Sequence, residues 1–126
     1  MSSRIDTSDA AQPVAAYSQA VEAGELVFVS GQIPLDPTSG ELISEDMKAA
    51  TARCIANAKA ILQAAGLDLN NVVKASVFLT TMDDYAEMDA AYREAMPTPF
   101  PAREAVAVLA LPKGARVEIS MIAQKG

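Results

Sequence analysis

The chain has 126 residues, 51% of them apolar, with no tryptophan and a formal net charge of −6. That is enough for one domain, residues 1–126, with a core built from Val, Leu, Ile, Ala and Met, and no run of Lys or Arg supplies the basic patch that nucleic-acid binding needs. The absence of histidine excludes Ser–His and Cys–His nucleophile pairs and histidine zinc sites, while the single cysteine, Cys54, excludes an intramolecular disulfide and a thiolate metal site. Any chemistry falls to Arg, Asp, Glu, Lys, Tyr, Ser, backbone amides or water. The polar start, Met1 to Ala11, lacks the apolar run of a signal peptide, and no stretch approaches the length of a membrane span. A soluble, reducing, cytoplasmic setting is the expectation.

Residues 1–13 read as a polar leader or an edge strand. Val14 to Val21 reads as a first strand containing Tyr17, and Ala23-Gly24-Glu25 as a turn. Leu26 to Ser30 is apolar on both faces, as in a central strand buried on two sides. Gly31 to Gly40 is rich in turn formers and reads as a loop; it lacks the glycine spacing of a phosphate cradle. Ser44 is the expected N-cap of a long helix, on which Met47, Ala50, Cys54, Ala58, Ile61, Leu62 and Ala65 form an apolar stripe, with Gly66 as its stop. Cys54 lies on that stripe and reads as a core residue. A strand over Asn71 to Thr80 follows, with Val73, Ala75, Val77 and Leu79 on one face. Thr81 with Asp84 resembles a capping box opening a second helix, whose stripe is Met82, Tyr85, Met88, Tyr92 and Met96. That stripe is read as core.

Pro97, Pro99 and Pro101 end the second helix and hold the backbone extended. An apolar strand, Arg103 to Leu111, then runs to Pro112, Lys113 and Gly114, and a last strand covers Arg116 to Ala123. In the last strand Val117, Ile119 and Met121 share one face, and Glu118, Ser120 and Ile122 the other. Arg103 stands at the mouth of an otherwise apolar strand. Its guanidinium fork matches a carboxylate, either that of a small substrate or one of the sixteen acidic side chains of the chain itself. Two helices cover only one face of a five- or six-stranded sheet, so the other face calls for a partner copy.

Val29 to Pro34 (V-S-G-Q-I-P), Ala64 to Leu67 (A-A-G-L), Phe100 to Arg103 (F-P-A-R) and Leu111 to Gly114 (L-P-K-G) together resemble the reactive-intermediate deaminase family, also called RidA or YjgF. The resemblance runs over nearly the whole chain and is carried by the order and spacing of the four motifs. It implies an α+β, chorismate-mutase-like fold: a mixed five- to six-stranded sheet with two helices on one face. It also implies a homotrimer with a barrel-like core and ligand clefts between subunits. The implied activity is hydrolysis of short-lived 2-imino or enamine acids, 2-iminobutanoate and 2-iminopropanoate among them, to 2-keto acids and ammonia. No metal or organic cofactor is implied; the charge balance and hydropathy, for their part, point to neither a nucleic-acid nor a membrane partner.

By the same resemblance the carboxylate-binding arginine is Arg103, with Tyr17, Ser30 and Gly31 matching the other ligand-binding positions. Three positions depart from the pattern. The usual cysteine after the arginine is Ala105, whose backbone N–H remains for a ligand oxygen. The usual asparagine of the second helix is Asp89. The glutamate that positions the attacking water is Ser120, a residue able to hydrogen-bond a water but a poor base. Glu118 lies on the same strand face, about 7 Å away. It is either a second candidate acting through a water or an exposed strand charge. Two classes of function follow: an imine or enamine deaminase, or a non-catalytic trimer holding keto acids or other small carboxylates through Arg103. Endoribonuclease activity, a third description attached to this family, fits least with an acidic chain lacking histidine.

Overall fold

The computed structural model describes residues 2–126; Met1, the first residue of the expected leader, lies outside them. Six strands and two helices follow in the order β1 (Ser2–Ile5), β2 (Ala20–Ala23), β3 (Leu26–Gln32), α1 (Met47–Ala64), β4 (Val72–Leu79), α2 (Tyr85–Ala95), β5 (Ala102–Ala107) and β6 (Val117–Gln124). The strands form one mixed sheet in the order β1-β2-β3-β6-β4-β5. All neighbours are antiparallel except β4 and β5, which run parallel because α2 forms the crossover between them. No helix among the described residues is long and apolar enough to cross a membrane.

Both helices lie on one face of the sheet. Val27 and Val29 of β3, Ala75, Val77 and Leu79 of β4, and Val117, Ile119 and Met121 of β6 are buried with Met47, Cys54, Ile61 and Leu62 of α1 and Met88 and Tyr92 of α2. Period-two alternation sends the remaining strand side chains to the other face. That face carries Phe28 and Val106, each more than two-fifths exposed, with half-buried Phe78, Ser120 and Ile122. β3 is therefore buried on one face only in the single chain. Cys54 is fully buried, and burial pushes its thiol far above its ordinary pKa, as a core residue requires.

Several local expectations are corrected. Tyr17 lies in the loop before β2, not in a strand. The N-cap of α1 is Asp46, whose Oδ1 accepts from the backbone N–H groups of Lys48 (2.9 Å) and Ala49 (3.3 Å). Ser44 instead offers its carbonyl to Arg116 Nη1 at 2.8 Å. The Arg116 Nη2 donates to Asp84 Oδ1 at 2.7 Å, so Asp84 is taken by an ion pair rather than a capping box. Thr81 caps only the single 3-10 turn before α2, and Met82 is exposed. A shift of register between Val72 and Lys74 puts Val72 in the core and leaves Val73 outside. Gly31 belongs to β3, which carries its own irregularity between Val29 and Gln32. β5 ends at Ala107, and Leu109 beyond it is fully exposed.

Asp46→Ala is expected to lower stability by about 1 kcal/mol, the usual cost of losing an N-cap. Ser44→Ala should stay within about 0.5 kcal/mol of wild type, because its side chain caps nothing. Urea unfolding of the two variants at one protein concentration checks the assignment.

Candidate active site

Two recesses hold the residues singled out in the sequence, except Ser120 and Ala105, which line neither. The first is a cavity of about 300 Å³ lined by Val14, Ala15, Tyr17, Ser30, Gly31, Ile33, Pro112 and Glu118. Its floor is the irregular end of β3. The Ser30 backbone N–H donates to the Gln19 carbonyl (2.9 Å) and its hydroxyl to the Ser18 carbonyl (2.6 Å), which fixes the Tyr17 loop over the strand. Tyr17 Oη accepts from the Val14 N–H at 3.3 Å, and its ring is two-fifths exposed. Gly31 is required by close approach: a Cβ there would lie 2.7 Å from the Glu118 carboxyl carbon. The missing side chain is what lets Glu118 fold into the cavity wall.

Glu118 has neither a salt bridge nor a side-chain hydrogen bond among the described residues. Burial alone raises its pKa above the ordinary glutamate value. A half-buried, unpaired carboxylate facing a cavity has the properties of a general base. Ser120, by contrast, is not among the residues lining this cavity. It sits on the open face beside Ser76 of β4. The position expected to lack a carboxylate therefore lies off the cavity, and the carboxylate two residues earlier is on it.

The second recess, about 260 Å³, is lined by Asp89, Tyr92, Arg93, Phe100, Pro101 and Arg103. The parallel register pairs Arg103 with Ala75 and Ala105 with Val77, so both point to the helix-covered face. Arg103 Nη1 donates to Asp89 Oδ1 at 2.9 Å, Nη2 donates to Tyr85 Oη at 2.6 Å, and the guanidinium lies 4.7 Å from the centre of the Tyr92 ring. Asp89 Oδ2 accepts from Arg93 Nε at 3.3 Å. Of the two partners expected for Arg103, the one present is a carboxylate of its own chain. These contacts use two of the five guanidinium N–H donors; the other three make no hydrogen bond among the described residues. Tyr92 is buried with its hydroxyl unpaired among the described residues, and burial raises its pKa.

Arg103 and Glu118 do not meet in one chain. They lie on opposite faces of the sheet, on strands separated by β4, two strand spacings or about 10 Å. Tyr17, Ser30 and Gly31 gather with Glu118, while Asp89 and Ala105 stay on the Arg103 side.

A family model described as endoribonuclease L-PSP matches residues 7–125. A RutC family protein of Pyrococcus horikoshii is 46% identical over 96% of both chains. The bovine 2-iminobutanoate/2-iminopropanoate deaminase is 41% identical over 97% of this chain and 89% of its own. The crystal structure of RidA from an Antarctic Psychrobacter superposes with a TM-score of 0.94 at 44% identity, covering 97% of this chain and 98% of that one. The chain belongs to the RidA/YjgF family. Among further RidA/YjgF relatives, E. coli TdcF was solved with bound serine, at 36% identity and a TM-score of 0.93 over 98% of this chain and 99% of that one.

Sequence reasoning gave no site role to Tyr85, read as core, or to Arg93 and Phe100, although all three surround Arg103. The available signal was the spacing of Tyr85, Asp89 and Tyr92, which places all three on one stripe of α2. In the first recess, Gly31→Ala is expected to cost about 1 kcal/mol of stability through crowding of the Glu118 carboxylate. Adding Glu118→Ala should recover most of that loss. A double-mutant cycle by thermal or urea unfolding would show the coupling, and strict additivity would remove the contact as its cause.

Proposed function

We propose that this RidA/YjgF chain hydrolyses reactive 2-imino and enamine acids to 2-keto acids and ammonia. The working form is a chorismate-mutase-like homotrimer with a barrel-like core, in which the Arg103 recess of one copy faces the Glu118 cavity of the next. Glu118 carries the reading: it is a half-buried carboxylate, unpaired among the described residues, beside Tyr17, Ser30 and Gly31. The identity to a mammalian imine deaminase supports the substrate class. The apolar open sheet face, with Phe28, Phe78 and Ile122, supports burial against other copies.

The substrate carbon is already electrophilic as an iminium, so the demands on the protein are modest. Arg103 holds the substrate carboxylate with its remaining N–H donors. Glu118 takes a proton from a water as that water's oxygen bonds to C2 and the C=N π electrons move to nitrogen. Glu118 returns that proton to the carbinolamine nitrogen, the C–N bond breaks, and the hydroxyl oxygen becomes the C2 carbonyl as its proton passes to the departing ammonia. One water is consumed, and one keto acid and one ammonium are released. Tyr17 and the Gly31 and Ala105 backbone amides line the ligand's polar edge, while Ser30 positions the Tyr17 loop.

The deciding experiment measures ammonia release from freshly generated 2-iminopropanoate. Wild type should accelerate it, with an acid limb of kcat/KM above about 4.3, the ordinary glutamate value, because Glu118 acts only when deprotonated and burial raises its pKa. Glu118→Gln should lose about 10²–10⁴-fold in rate while keeping keto-acid affinity. Ser120→Ala should stay close to wild type. Arg103→Ala should lose about 2–5 kcal/mol of carboxylate binding, with Arg103→Lys recovering part of it. A wild-type protein that binds keto acids through Arg103 and turns over no imine would establish the non-catalytic carboxylate binder instead.

A further inference from the structure

The Arg103 recess sets one anion, Asp89, between two cations: Arg103 at 2.9 Å between Nη1 and Oδ1, and the outer, largely exposed Arg93 at 3.3 Å. Arg103 is mostly buried, with its side chain 17% exposed, and Asp89 is 23% exposed. Both are shielded enough for their charges to act strongly on a ligand at contact distance, because field screening falls as water is excluded. A simple anion entering here meets Arg103 and, beside it, a carboxylate that repels it. A zwitterion carrying a carboxylate and a cationic nitrogen on adjacent carbons meets a matching charge at each end. The protonated form of a 2-imino acid is such a zwitterion; the 2-keto acid formed from it is a plain anion.

We infer that Asp89 is the specificity-determining residue of this recess, recognising the cationic nitrogen of a 2-iminium acid while Arg103 holds its carboxylate. The inference rests on the proposed function and names how that site tells substrate from product. Asp89 has the acceptor capacity for it. Its two oxygens offer about four lone-pair sites, of which Arg103 and Arg93 take two. The Arg93 contact is long, at 3.3 Å, and Arg93 is two-thirds exposed, so an arriving N–H can displace it readily. Tyr85 and Tyr92 hold the guanidinium from its other sides, which keeps Arg103 in place when Asp89 turns toward a ligand. An asparagine at this position would hydrogen-bond a nitrogen or an oxygen alike and could not distinguish the two by charge. Asp89 also disfavours retention of the keto acid, so product leaves once nitrogen has been expelled.

The test compares two stable probes that differ at C2, 2-aminobutanoate as the zwitterion and 2-oxobutanoate as the anion, by titration calorimetry at low salt. For Asp89→Asn, the zwitterion should bind more weakly and the keto acid more tightly. The ratio of their dissociation constants should move by about tenfold or more, the low end for a close charge pair. In steady-state kinetics the same variant should show stronger inhibition by 2-oxobutanoate. Asp89→Glu, which keeps the charge, should restore the wild-type order of the two probes. If Asp89→Asn shifts both affinities in the same direction by the same factor, Asp89 only positions Arg103 and the inference is overturned. If Arg103→Ala leaves both affinities unchanged, the carboxylate site itself is elsewhere and the proposed function falls first. The two failures are therefore distinguishable.

Discussion

Period-two alternation along β5 and β6 governs the placement of the two charged groups the site depends on, Arg103 and Glu118. In β6 it buries Val117, Ile119 and Met121 beneath the helices and turns Glu118 to the open face. In β5 the parallel register with β4 turns Arg103 and Ala105 toward the helices. Strand alternation cannot be altered locally without sending a core residue into water, at roughly 1.5–3 kcal/mol for each large aliphatic side chain. The two charged groups are thus locked apart by the same constraint that builds the core. In the proposed trimer a ligand held by both would span two copies, and the uncovered face bearing Phe28, Phe78 and Ile122 would supply an apolar surface for them to bury.

The two recesses differ in how their charges are compensated. Glu118 has no ion pair or side-chain hydrogen bond among the described residues, in a wall shaped by the missing side chain of Gly31, and burial raises its pKa. Arg103 is heavily partnered by Asp89, Tyr85 and the Tyr92 ring, so its orientation is set before any ligand arrives. Reactive 2-imino acids hydrolyse in water unaided. A protein acting on them gains more from a fixed cation and a poised base than from elaborate covalent machinery.

Much of this was legible in the sequence. The apolar stripe from Met47 to Leu62, the core assignment of Cys54, the alternation in β6 and the motif order from Val29 to Gly114 gave the layers, and the family followed from the motifs. What escaped was set by tertiary contacts. Val14 to Val21 has strand-like composition, yet the Ser30 bonds to Ser18 and Gln19 hold Val14 to Gln19 as a loop, and only Ala20 and Val21 join β2. The shift near Val73 reverses the expected parity, and nothing in the local sequence marks a bulge. Glu118 and Ser120 share a face, so periodicity could not tell which lines the cavity; the close approach at Gly31 puts Glu118 there. Sixteen acidic residues offered partners for Arg103, and only the packing of α2 over β5 selects Asp89.

The most direct test of a site divided between copies is complementation. Folded, separately inactive Arg103→Ala and Glu118→Gln proteins would be mixed, dissociated and reassembled, and imine hydrolysis measured. Random assembly of a ring from equal amounts places an intact Arg103 recess against an intact Glu118 cavity in about a quarter of the clefts, so activity should return to about a quarter of wild type. Mixed assemblies, verified by mass, that stay as inactive as their parents would contradict the division of the site between copies.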